Sequence, residues 1–271
     1  MTYFQFLLLF LVPPILVLFI LARPGRKHWS AIGILGIVTY VWTTPWDNYL
    51  VGSGVWAYPP EQVTGLKLGF VPIEEYTFFG LQAILGSLWT LSLQRLTAAP
   101  DRAFAQRGLG LMALAWAIGP GLALALFSSA IGAGNPVVTT QEWPRLPFGQ
   151  LNYLVLILAW ALPVIIGQWV IGRFVFTRPI WVWALGWAVP ALYLSLCDSF
   201  AISAGIWHIL PDQSLSLLLP IGQAGLPFEE ALFFIVSSVL VTQGYLLISA
   251  PEAGATVRGW FQQARRGRVR A

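Results

Sequence analysis

Polar chemistry is scarce in this sequence, and each shortage removes a class of function. The single cysteine, Cys197, leaves no disulfide framework and no thiolate metal site. The two histidines, His28 in a basic loop and His208 in a loop on the opposite side, argue against a histidine metal centre. Asp47, Asp101, Asp198 and Asp212 are the only aspartates, and they form no multi-aspartate magnesium motif, so no prenyl-diphosphate site is expected. The two lysines, Lys27 and Lys67, both lie outside the last apolar segment, which argues against a retinal Schiff base. GSGVWA at 52–57 and GLGLMA at 108–113 fit G-x-G-x-x-A, but neither stands between a strand and a helix, so no dinucleotide cofactor is implied.

Charge is the largest shortage. Charged residues make up 10% of the 271 positions and hydrophobic ones 57%, where soluble domains carry roughly 25% charge. A polytopic, all-α membrane protein follows. Seven segments are apolar enough to cross a hydrocarbon core of about 30 Å: 3–22, 30–46, 72–94, 109–131, 151–172, 180–197 and 227–248. With the N-terminus outside, thirteen Lys and Arg fall on the cytoplasmic side (Arg23, Arg26, Lys27, Arg95, Arg102, Arg107, Arg173, Arg178 and five in the tail) and only Lys67 and Arg145 opposite. That asymmetry predicts a cytoplasmic C-terminus. The first segment is read as a retained helix, because its basic cluster follows the apolar run instead of preceding it. The tail RGWFQQARRGRVR, 258–270, is read as an anchor to anionic lipid and not as a nucleic-acid site.

The sequence repeats itself. At an offset of 151, Asp47 matches Asp198, Gly54 matches Gly205, Trp56 matches Trp207 and Pro60 matches Pro211. After a four-residue insertion, Pro72-Ile73-Glu74-Glu75 and Phe78-Phe79 match Pro227-Phe228-Glu229-Glu230 and Phe233-Phe234. The repeat unit is three helices and the fourth segment is an unmatched linker, so the copies run the same way through the membrane, related by an axis along its normal. The divisions are 1–97 for the first repeat, 98–148 for the linker helix and outer loop, 149–250 for the second repeat, and 251–271 for the basic tail.

Six acids, Asp47, Glu74, Glu75, Asp198, Glu229 and Glu230, thereby gather at the outer ends of four helices. One such Pro-x-Glu-Glu could simply start a helix, its carboxylates complementing the positive end of the dipole. Two copies, each with an upstream aspartate and a downstream aromatic pair, favour a shared site, because acids at membrane depth face the bundle interior. Adjacent glutamates point about 100° apart on a helix, so at most one per repeat aims directly inward; the sequence leaves open which. The dipole favours the anion by at most about 2 kcal/mol, whereas burial can raise a carboxyl pKa by as much as ~3–5 units. A dry site therefore holds a proton donor. Trp46, Phe78, Phe79, Phe233 and Phe234 adjoin the acids, and desolvated aromatic faces stabilise a cation by ~2 kcal/mol or more; with Trp56 and Trp207 of the matched segments they are the expected substrate-binding residues.

Paired Pro-x-Glu-Glu-x-x-Phe-Phe motifs, each preceded by an Asp and a Gly-x-Trp segment in a three-helix unit, resemble the lycopene cyclase domain of carotenoid biosynthesis in its tandem form. The resemblance implies a redox-neutral, cofactor-free cyclisation of lycopene's linear ends to β-ionone rings through a carbocation. Glu74, Glu75, Glu229 and Glu230 are then the acid and base set, with Asp47 and Asp198 holding proton positions, and no metal. It implies a multi-pass protein of the prokaryotic plasma membrane whose partners are a carotenoid and the bilayer, with no nucleic acid. Association with other carotenoid-pathway enzymes is compatible with it, and the oligomeric state stays open. Acids near one face suggest that a polyene presents one end at a time. Two alternatives stand beside this reading. A carotenoid hydratase would capture the same cation with water. A proton-coupled transporter is disfavoured by acids gathered at one face and by the few polar residues expected further along their helices.

Overall fold

The computed structural model describes residues 1–98, 102–127, 141–177, 179–222 and 225–250. The tail and the end of the fourth apolar segment, 128–131, lie outside them. Helices fall on every expected segment: α1 (Tyr3–Phe10), α2 (Val12–Ala22), α3 (Arg26–Gly52), α4 (Ile73–Thr97), α5 (Arg102–Phe127), α6 (Asn152–Phe176), α7 (Ile180–Ser203) and α8 (Phe228–Ser249). Among the described residues, four apolar runs are long and hydrophobic enough to cross a bilayer, namely Tyr3–Ala22, Gly149–Phe176, Ile180–Ser203 and Phe228–Ser249. The chain is an all-α membrane protein.

Two departures from the expected segments have local causes. The first run is broken at Leu11 into α1 and α2, because Pro13 and Pro14 lack the N–H groups that would continue the ladder; α1 itself starts on a Thr2–Gln5 capping box. His28 is not a loop residue. It sits in the first turn of α3, where its Nδ1 accepts from the Gly25 N–H at 3.0 Å and so satisfies a donor that every helix start leaves free.

α4 and α8 pack on each other at the centre; α3 and α7 each touch both, while α2 lies on α4 and α6 on α8. α4 and α8 are the inner helices, most of their residues being buried, whereas most of α6 is not. The close α4–α8 approach is visible at Gly86, whose added Cβ would meet Val241 Cγ1 at 2.7 Å. Small residues at such a crossing let backbones approach in a solvent that supplies no hydrophobic drive. The scarcity of polar groups expected further along α4 and α8 is not observed: Gln82, Ser87, Thr90, Ser92, Ser237, Ser238, Thr242 and Gln243 are all buried. Most are small. Thr90 and Ser92 donate back to the carbonyls of Gly86 and Leu88, each at 2.8 Å, and Gln82 donates to Ser237 at 2.8 Å. The small ones allow tight helix contact, while the hydroxyls of Ser87, Ser238 and Thr242 have no partner among the described residues.

Short two-residue strands fold the loops over one end of the bundle. β1 (Trp56–Ala57) pairs antiparallel with β4 (His208–Ile209), Ala57 opposite His208. β2 (Lys67–Leu68) turns back on β3 (Val71–Pro72), as β5 (Leu218–Leu219) does on β6 (Leu226–Pro227). Each of these hairpins delivers the chain into the helix that carries a glutamate pair.

Candidate active site

Within each pair the two glutamates diverge, as the helical wheel requires. Glu74 Oε1 accepts the Thr64 N–H at 2.7 Å, and Glu229 Oε1 accepts the Leu215 N–H at 2.6 Å. Thr64 and Leu215 stand at the 151 offset, so the same bond ties each outer loop to its helix start. Both carboxyls are fully buried, and neither lines the cavity enclosed by Tyr3, Trp56, Phe78, Asp198 and Phe233.

Glu75 and Glu230 turn inward. Glu75 Oε2 accepts from the phenols of Tyr3, at 2.6 Å, and Tyr58, at 2.9 Å. Glu230 Oε1 accepts from Tyr153 Oη at 2.5 Å and from the Trp56 indole at 3.2 Å. Buried polar groups normally find partners, and these carboxyls find theirs on the starts of α1 and α6, at Tyr3 and Tyr153, and on the segment after α3, at Trp56 and Tyr58. Tyr3 opens α1 and Tyr153 opens α6, so the corresponding bond again recurs in both halves. The second phenol does not recur: the position matching Tyr58 is Ile209.

The aspartates stand behind. Asp198 lines the cavity beside the Glu230 carboxyl and accepts from the Trp207 indole at 2.8 Å, while its second oxygen has no N–H partner among the described residues. Asp47 is wholly buried, and both of its carboxyl oxygens lack a partner among the described residues. An unpaired buried carboxylate is expensive, so neither aspartate is an ordinary packing residue. The Tyr58 phenol, in the loop above the helices, is held well above its ordinary pKa by burial first and by the Glu75 charge second. It stays an O–H donor to Glu75.

Aromatic rings close the space around the carboxyls. The cavity is narrow, about 20 Å³, room for about one water. Phe6, Trp56, Phe78, Trp207, Phe233 and Phe234 line it with Glu75, Asp198 and Glu230. Trp46 lies to one side and stacks on Trp160 (4.6 Å between centroids) and on Phe233 (5.8 Å). Phe79 faces a second, larger cavity, which Phe233 also reaches. The sequence reading missed Tyr3, Tyr58, Tyr153, Phe6 and Trp160. The Tyr3–Tyr153 match was available to an alignment carried into the first and fifth segments; the others carry no motif. Among the described residues no cluster of His, Cys, Asp and Glu is arranged to hold a metal ion.

Buried carboxyls that border a dry, ring-lined cavity can protonate an alkene and take a proton back from a carbocation. The chain is 34% identical over 252 residues to a protein named lycopene beta-cyclase from Halobacterium salinarum, a match spanning 91% of this chain and 95% of the relative. It is 33% identical over 237 residues to the bifunctional lycopene cyclase/phytoene synthase of Podospora anserina, covering 86% of this chain and 38% of the relative. The Neurospora crassa protein of the same name is 32% identical over 239 residues. No family model matches the chain, and no solved structure does.

Proposed function

This chain belongs to the lycopene cyclase family, and we propose that it closes the linear ends of lycopene into β-ionone rings using Glu75 and Glu230 as its proton-exchanging carboxyls. The observation that carries the assignment is their placement: of the four paired glutamates, these two alone line the cavity. A carboxylic O–H gives its proton to the terminal double bond, leaving a tertiary cation. The neighbouring double bond attacks that cation and closes the six-membered ring. A carboxylate then removes a proton from the ring, restoring a double bond. Nothing is oxidised or reduced, and the atoms of substrate and product are the same.

The residues around the carboxyls divide the remaining work in this scheme. Tyr3, Tyr58, Tyr153 and Trp56 orient the reacting carboxyls by donating to them. Asp47 and Asp198 hold proton positions behind them. Phe78, Phe233, Phe234, Trp56 and Trp207 face the developing cation with their rings. Glu74 and Glu229 hold the outer loops on their helix starts. Water is kept to about one molecule, which favours proton loss over capture of the cation by water, the outcome of a hydratase.

The helices are read as seven crossings, α1 and α2 sharing the first, in a multi-pass protein of the cell membrane with its N-terminus outside. Arg95, which donates to the Arg23 carbonyl at 3.1 Å, supports a common basic end. α1–α4 and α6–α8 form the two parallel repeats and α5 links them. The substrate is a carotenoid held within the bilayer.

Expression in cells that accumulate lycopene tests the proposal. A pigment of unchanged mass with a shortened chromophore is expected, by chromatography with mass detection. A pigment heavier by one water would mean hydration, and lycopene left intact in the presence of membrane-embedded protein would sink the activity.

A further inference from the structure

The larger cavity is a groove of about 220 Å³ between α3 and α6, floored by α4 and α8. Its walls are mostly apolar, with Val38 and Trp42 on α3 facing Trp160 and Val164 on α6. Val38 is 53% exposed and Trp42 46%, so the groove opens toward lipid. Phe233 borders both the groove and the cavity of the carboxyls.

A two-repeat fold should have a second groove, between α7 and α1, and its counterpart residues can be followed. Trp42 matches Tyr193 at the 151 offset. Trp160 matches Phe10 in the register set by Tyr153 and Tyr3. The Trp42 indole donates to the Trp160 carbonyl at 3.3 Å, and Tyr193 Oη donates to the Phe10 carbonyl at 2.6 Å. The same bond therefore joins the two walls in each half. The surroundings differ: Tyr193 is only 4% exposed. The linker helix covers it, with the Trp116 ring 4.6 Å from Tyr193 and 5.1 Å from Trp89. Gly119 of the same helix lies against Leu9 and Phe10.

We infer that a linear carotenoid enters sideways from the lipid through the α3–α6 groove alone, and that α5 is the stopper of the equivalent entrance. This inference rests on the cyclase reading. One open groove admits one end group per visit, since the rest of the polyene lies along α3 and α6 and, among the described residues, α5 covers the equivalent exit. A two-ring product then requires release of the one-ring carotenoid and its return in the opposite sense.

The test uses the whole chain in lycopene-accumulating cells, with ring formation divided by the amount of protein in the membrane. Val38→Trp and Val164→Trp, one on each wall, should each lower it roughly tenfold or more by filling the groove. Val41→Trp and Val170→Trp place the same bulk on the same helices at lipid-facing positions, 72% and 63% exposed, and should leave it within about twofold. In a Glu230→Gln background, adding Val38→Trp should reduce the lycopene that co-purifies with the protein, a readout independent of turnover. If two rings are made, the one-ring carotenoid should appear free first. Full turnover by both groove variants, equal loss in the lipid-facing pair, or a two-ring product with no free precursor would each overturn the single entrance. Lycopene untouched by the unaltered chain would instead bring down the cyclase reading beneath it.

Discussion

Glu230→Gln is expected to reduce ring formation by roughly 10²–10⁴-fold, the usual worth of a positioned general acid or base, and Glu75→Gln by a similar factor. Glutamine keeps the size and the acceptor oxygen that Tyr153 and Trp56 now use, so packing is preserved while the exchangeable proton is lost. Glu229→Gln is the informative contrast. The role of Glu229 needs only an oxygen to accept the Leu215 N–H, which an amide provides, so activity should remain within a few-fold of the unaltered chain. Pigment analysis normalised to membrane protein reads all three. Glu229→Gln as damaging as Glu230→Gln would move the chemistry to the other member of the pair.

Gly119→Val should detach the linker helix. A Cβ at Gly119 would lie 2.8 Å from the Leu9 carbonyl oxygen and 3.1 Å from Phe10 Cα, with Tyr193 Oη at 2.7 Å. Two of these neighbours are backbone, which cannot swing aside as a side chain can. Overpacking of this kind costs about 1–3 kcal/mol, expected as a lowered unfolding temperature in detergent. Gly121→Val, two residues along the same helix, is the control, since nothing stands within 4 Å of its Cβ. Equal behaviour of the two variants would mean that α5 does not lean on α1.

Much of this architecture is legible in the residue order, because helices in lipid must be written as apolar runs. Each of the expected segments lands on helix, and even the break at Leu11 has its cause in plain view at Pro13 and Pro14. The acids were legible for the same reason that they are costly: charge in an apolar run stands out. Which glutamate of a pair faces inward was not legible, since that depends on how far α4 and α8 are rotated by their packing on each other. Tyr3 and Tyr153 were hidden by distance, being 72 and 77 positions from the carboxyls that they serve. The hydroxyls buried along α4 and α8 are individually ordinary in a sequence, and their role appears only when the two helices meet. Nor could the linker declare what it covers, because α5 has no counterpart in the other half and gave the alignment nothing to compare.

The pairing of Ala57 with His208 has a historical meaning on the two-repeat reading. These positions are equivalents, and a contact in which a position meets its own equivalent is the signature of an isologous interface, the kind formed by two copies of one subunit. On that reading the strand pair β1–β4 has the geometry of the seam that two identical copies would form. In such a dimer every substitution is made twice, so both halves must keep the same surface. Joined end to end, each half mutates alone. Ile209 stands where the first half has Tyr58, and Cys197 where it has Trp46, changes open only to halves no longer encoded by one shared copy.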